Sequence, residues 1–300
     1  MKLPHLAARI FDVPLMVDQR KAATILNAVG NRFIPGNFTS EGFSGILPPR
    51  AGRVGDPLGV SYEQSGNGNR LMPFIYNSVA VVAIEGTLIH KGKWIGMDSG
   101  ETSYEGIQAQ VRRAARDDRV RAVVFEVDSY GGEVSGAFDT AEMILELSAM
   151  KPTLAILTDD ALSAGYLLAS AARHIVAPAS GSAGSIGVIT MHVDMSAALE
   201  AEGLKITLLH SGAHKADGNP YEALPQDVAA KVQSDLDKMR DEFAGFVGKA
   251  RGKRLTKAQA LETEAQYYAA DEALARGLID AVARPSEAFS RFVRAINQAN

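Results

Sequence analysis

The chain has 300 residues, of which 46% are hydrophobic, and its 31 basic and 35 acidic residues leave a net charge of −4. That length holds one large domain or two small ones, and the charge balance gives no electrostatic reason to expect a nucleic-acid partner. Cysteine is absent, which excludes a disulfide scaffold, a thiol nucleophile and a Cys-ligated metal.

The N-terminus, from Met1 to His5, opens no apolar run of signal-peptide length, and Arg9 and Asp12 interrupt the segment after it. No stretch approaches the roughly 20 apolar residues of a membrane span. The expectation is a soluble chain that is not exported. Residues 18–30 read as a short helix, with Ala22, Ile25, Leu26 and Val29 on one face and Gly30 as its stop. Residues 35–73 carry Pro35, Pro48, Pro49, Pro57 and Pro73 among many glycines. Such a stretch is too long for an ordinary loop and is expected to be a flexible arm.

Regular pattern resumes at Ser78. Val79–Ile84 reads as a buried strand, and Tyr104, Ile107, Val111 and Ala114 as a helical stripe. Ala122–Val127 is a second strand, and Ala137, Ala141, Ile144 and Leu147 mark a second helix. Leu154–Leu157 is a third strand, and Leu162–Ala172 a third helix. Short strands are expected at Ile175–Val176, Ile186–Ile189 and Ile206–Leu209. Val228, Val232, Leu236, Met239, Phe243 and Phe246 then step through a long amphipathic helix from about Gln226 to Ala250. Strands apolar throughout, alternating with helices, predict an α/β fold whose mainly parallel sheet is covered on both faces. The expected organisation is an N-terminal helical segment over 1–34, the arm over 35–73, a catalytic domain over 74–284 and a C-terminal tail over 285–300.

Three features carry chemistry. Ser163 stands at the predicted strand-to-helix junction among Ala161, Ala164 and Gly165. Small neighbours let a substrate carbonyl approach the free N–H groups of a helix start, although a helix-capping serine needs no catalytic role. Gly131 and Gly132 follow a buried strand, where backbone N–H groups can stabilise an oxyanion or simply make a tight turn. Lys215 follows the predicted strand Ile206–Leu209, and a half-buried amine there would serve as a base. One lysine among 31 basic residues is otherwise a surface charge. Ser185 is either a turn residue or a partner that orients the amine. Spacing alone also leaves His192 with Asp194, or His214 with Asp217, open as the base. No H-E-x-x-H spacing exists among the six histidines, and no phosphate-binding glycine loop is present. Neither a metal nor a cofactor is expected. The small residues around Ser163 suggest a modest apolar pocket, with an extended peptide bound by strand addition.

Four blocks occur in order. They are Ser129-Tyr130-Gly131-Gly132-Glu133-Val134, Asp160-Ala161-Leu162-Ser163-Ala164-Gly165-Tyr166, Gly184-Ser185-Ile186-Gly187-Val188 and Ser211-Gly212-Ala213-His214-Lys215. Together they resemble the S49 peptidase family, which takes in signal peptide peptidase A and the phage capsid-assembly proteases. The resemblance covers roughly residues 78–283. It implies a ClpP/crotonase-like fold, a Ser163–Lys215 dyad oriented by Ser185, and oxyanion donors from Gly131, Gly132 and Ala164. Two positions depart from the family pattern: Tyr130 stands where a proline usually precedes the glycine pair, and Ala164 replaces a glycine after the serine. The N-terminal region looks more like the phage branch. That implies a homo-oligomeric serine endopeptidase acting on scaffold or other head proteins, in the bacterial cytoplasm or the procapsid. A soluble bacterial peptide-degrading relative is the alternative. From other classes, a crotonase-type acyl-CoA enzyme or a non-catalytic capsid scaffold would not need Ser163 or Lys215.

Overall fold

The computed structural model describes residues 13–18, 58, 73–91 and 100–298. These fall into two compact units. The larger takes 16–18, 58, 73–91, 100–187 and 241–298, and the smaller takes 13–15 and 188–240.

The larger unit is built on a sheet whose central order is β10-β7-β6-β5-β3-β2. Its strands are β2 (Phe74–Tyr76), β3 (Val79–Ile89), β5 (Ala122–Glu133), β6 (Thr153–Leu162), β7 (His174–Ala177) and β10 (Ala281–Val282). Only β2 runs antiparallel along this path. The others pair in parallel. Helix α1 (Tyr104–Arg116) connects β3 towards β5, and α2 (Ala137–Met150) connects β5 to β6. Each is a crossover of the kind parallel neighbours require. Ser103 starts α1 by accepting a hydrogen bond from the Gly106 N–H at 3.1 Å. Helix α3 (Ala164–Ser170) follows β6 directly. Strand β4 (Glu101–Ser103) adds to β3, and β8 (Ser182–Gly184) joins β6 to the antiparallel β9 (Tyr267–Ala269).

Alternate residues of a strand face opposite sides. Val79, Val81, Ala122, Val124, Leu154 and Ile156 meet Ala288, Phe289 and Val293 of α8 (Pro285–Gln298) in one apolar cluster. The expected tail over 285–300 is therefore largely a helix of the core. Leu58, inside the expected arm, is buried in the same cluster. Nearly all of that arm, and the helix expected over 18–30 beyond Asp18, lie outside the described residues.

The three central strands run past their predicted ends, to Ile89, Glu133 and Leu162. Polar residues such as Glu85, Ser129 and Asp160 break the apolar pattern, but pairing continues across register shifts at Glu85/Thr87 and Val127/Ser129. Gly131 and Gly132 consequently lie within β5 rather than in a turn after it. The strand expected at Ile186–Ile189 is replaced by β8 slightly upstream.

The smaller unit holds α4 (Ser196–Ala201) and most of α5 (Gln226–Arg251), whose last turns belong to the larger unit. Ile189 makes an isolated antiparallel bridge with Leu15. Residues 206–209, expected as a strand, form none, and Leu204, Ile206, Leu208 and Leu209 are exposed. Among the described residues no strand pairs with them, and their apolar pattern alone does not produce one.

Candidate active site

Ser163 sits between the end of β6 and the start of α3, with φ 54° and ψ −121°. That backbone is costly for a residue with a side chain. Two hydrogen bonds hold it there: its N–H donates to the Gly184 carbonyl at 2.9 Å, and its carbonyl accepts the first helical bond, from Leu167 N–H, at 2.9 Å. A strained serine on a sharp strand-to-helix turn is the geometry that presents a nucleophile in other hydrolases. Among the described residues, the hydroxyl makes a long contact, 3.5 Å, to the Gly187 carbonyl. Ala164 follows as the first helical residue, whose N–H precedes the intrahelical ladder.

Gly131 lies against this turn with φ +95°. A Cβ there would fall 3.0 Å from both Ser163 Cβ and Ala164 N, and 2.0 Å from the Met16 carbonyl oxygen. Glycine is required for both the conformation and the space. Gly132 is turned elsewhere: its Cβ would meet the Leu88 carbonyl of β3 at 1.8 Å. Ser129 fixes the glycine bend. Its hydroxyl donates to the Gly86 carbonyl at 2.6 Å and accepts from Gly131 N–H at 3.1 Å. Gly165 is also forced to be small, since a Cβ would lie 2.8 Å from the Ser129 carbonyl.

Ser185 follows β8 at φ 57°. Its N–H donates to Gln266 O at 2.9 Å, and its hydroxyl donates to Asp18 Oδ2 at 3.4 Å. Asp18 is itself buried. Within the larger unit, then, Ser163, Ala164 and Gly131 are neighbours, while Gly132 faces β3.

Lys215 belongs to the smaller unit. It is exposed, and its N–H donates to Gly212 O at 3.1 Å. The half-buried amine expected at a strand end is not found, because 206–209 makes no strand to lodge it. His214 Nδ1 lies 2.9 Å from Asp217 Oδ2 on the exposed surface. The Asp194 carboxylate accepts from both the hydroxyl and the N–H of Ser196, bonds that hold it below the usual carboxylate range. Among the described residues, no group of three or more His, Asp or Glu side chains is arranged to hold a metal.

Sequence reasoning passed over Ser129, Asp18 and Met16. Ser129 was visible in the glycine block, but its partner Gly86 is 43 residues away. Met16 and Asp18 carried no signal, since nothing in the pattern brings residues near the N-terminus to β5.

A model of peptidase family S49 matches residues 146–298. The chain is 35% identical over 288 residues to capsid assembly protease C of Escherichia phage lambda, a match covering 96% of this chain and 65% of that protein. It is 34% identical over 300 residues to the head-tail preconnector protein GP5 of Enterobacteria phage P21, covering 98% of this chain and 58% of that protein. Protease 4 of Haemophilus influenzae is 28% identical over 230 residues, covering 74% of this chain and 35% of its own length. The chain thus spans less than two thirds of the length of each.

Proposed function

The chain belongs to peptidase family S49, and on that premise we propose that it is a serine endopeptidase of capsid assembly, cutting scaffold or other head proteins with a Ser163–Lys215 dyad. The Ser163 hydroxyl attacks the scissile carbonyl carbon, and its proton passes to the neutral Lys215 amine. The Ala164 N–H carries the charge that develops on the carbonyl oxygen, joined by the Gly131 N–H once that donor turns from the Ser129 hydroxyl, to which it is bonded at 3.1 Å. Collapse of the tetrahedral intermediate expels the amine, which takes the proton from Lys215. Water, giving a proton to the same lysine, then attacks the acyl carbon, and the lysine returns that proton to the Ser163 oxygen as the acyl group leaves. Ser185 holds the lysine in line, and no metal or cofactor takes part.

The observation that carries this reading is the strained Ser163 turn with Gly131 packed against it. Helix capping does not account for it, because Ser163 makes no capping bond to the helix it precedes. The capsid role is favoured by the phage relatives, which match more of this chain at higher identity than Protease 4 does. The same reading proposes a homo-oligomer working in the procapsid or the bacterial cytoplasm. Incubation with a serine-reactive fluorophosphonate, followed by mass mapping, tests it. The label is expected on Ser163 and absent from the Ser163→Ala protein. A label confined to other residues would refute the assignment.

A further inference from the structure

Three residues remote in sequence lie across the nucleophile. Strand β1 (Leu15–Val17) pairs with β5. The Asp18 N–H donates to the Tyr130 carbonyl at 2.9 Å. The Met16 carbonyl oxygen lies 2.0 Å from the point where Gly131 would carry a Cβ, and Ser163 Cβ and Ala164 N are each 3.0 Å from that point. A backbone carbonyl of the chain itself therefore sits within a few ångströms of the serine and of the first helical N–H. That is where the carbonyl of a bound polypeptide has to come. Met16 is 0% exposed, Val17 5% and Asp18 3%, and Ser163 is 1% exposed. No polypeptide reaches a serine so covered until something moves.

The way the segment is held indicates what it stands in for. A main-chain hydrogen bond fixes it to β5, and two apolar side chains are buried beside it. The far end is met by the Ser185 hydroxyl at Asp18 Oδ2. Main-chain bonds that hold, with side chains that select, are the mode of strand addition.

We propose that Met16–Asp18 occupies the polypeptide-binding track, and that substrates bind by displacing it as an extended strand along Tyr130–Gly131. The inference rests on Ser163 being the nucleophile. It names the substrate class: extended segments with unbranched or β-branched aliphatic side chains where Met16 and Val17 now lie. It also makes the resting chain self-inhibited, because an intramolecular strand competes at high effective concentration with any substrate.

The test compares the full-length chain with Met16→Glu, which puts a charge where a buried apolar side chain now lies. The probes are a small fluorophosphonate, read as the labelling rate of Ser163, and a short aliphatic peptide, read as kcat/KM. Both should rise about tenfold or more when an intramolecular competitor at millimolar effective concentration is weakened. Equal rates in a folded variant overturn the inference while leaving the nucleophile intact. No label on Ser163 in either protein overturns the nucleophile and the inference with it. A second measurement needs no mutation. Wild-type protein modified at Ser163 by a Leu-Met-Val peptidyl phosphonate should show faster hydrogen exchange at the Asp18 amide. An Asp18 amide that stays as protected as in the unmodified protein overturns the proposal.

Discussion

Ser129 is fully buried, and its hydroxyl both donates and accepts on the backbone around Ser163. Replacing it with alanine leaves the Gly86 carbonyl and the Gly131 N–H without that partner, a loss of about 1–3 kcal/mol for buried groups. The Ser129→Ala protein should unfold at lower urea concentration. Its kcat should fall about tenfold or more at little-changed KM, the pattern of a misplaced oxyanion backbone rather than lost substrate contact. A kcat equal to wild type would mean that the glycine bend holds itself. The dyad predicts a different pattern. Ser163→Ala and Lys215→Ala should each abolish peptide cleavage, and the double variant should lose little more, because nucleophile and base act as a unit. Only a neutral amine accepts the serine proton, so turnover should climb with pH. Retained cleavage in Lys215→Ala would turn attention to His192 or His214. The sequence singled out Ser163 through small residues at a strand-to-helix junction and Gly131 through the glycine pair after a buried strand, while the oxyanion role of Ala164 came from the family resemblance. It could not find Ser129 or Asp18, whose roles depend on partners 43 and 167 residues away.

At the level of elements, the end of α5 is tied to the sheet edge by charge. Arg251 is buried, and its guanidinium meets Asp280 at 2.8 and 3.0 Å and the Gly277 carbonyl at 2.8 Å. Asp280 also accepts from Ile175 N–H at 2.8 Å, and Tyr166 of α3 donates its hydroxyl to Leu278 O at 2.9 Å. Burial works to raise the Asp280 carboxyl, but the Arg251 hydrogen bonds and charge outweigh it and hold the group below the ordinary value. The unfolded chain therefore binds this proton more tightly than the folded one. The stabilisation is fully present above the unfolded carboxylate range and is lost as pH falls below about 4. Arg251→Met leaves a largely buried carboxylate short of its main partner, at a cost of about 3–5 kcal/mol. Chemical denaturation across pH 3–6 checks both points: the variant should be less stable at pH 6 and its acid-dependent loss shallower. The same elements mark what the pattern could reveal. β3, β5 and β6 were legible because burial on both faces makes them apolar throughout. Their last residues were not, because polar side chains there pair with neighbouring strands instead of packing in a core. The role of α8 was missed for a different reason. Its apolar face, at Ala288, Phe289 and Val293, has meaning only against the sheet it covers.

For the whole molecule, the smaller unit raises the question of what meets its apolar residues. Leu204, Ile206, Leu208 and Leu209 lie open to solvent, Leu209 at 93%. The stripe on α5 is buried at Phe243 and Phe246 but only half-buried at Val228, Val232, Leu236 and Met239. Lys215 follows the open apolar run and is exposed with it. A lysine that must shed its proton near neutral pH needs to leave water. A second copy packed over residues 204–209 would cover the apolar run and desolvate the amine together, which ties assembly to activity. Light scattering should therefore give a mass that is a multiple of 31.9 kDa. The Leu209→Asp chain should run as a monomer with an unchanged melting transition, because a side chain so exposed adds little to its own fold. Its peptide cleavage should drop by about a hundredfold or more, as expected when a general base loses its working protonation state. Wild-type protein that is fully active as a monomer would dissolve the link. So would a Leu209→Asp monomer that cleaves normally, and the desolvation of Lys215 would then have to come from the substrate itself.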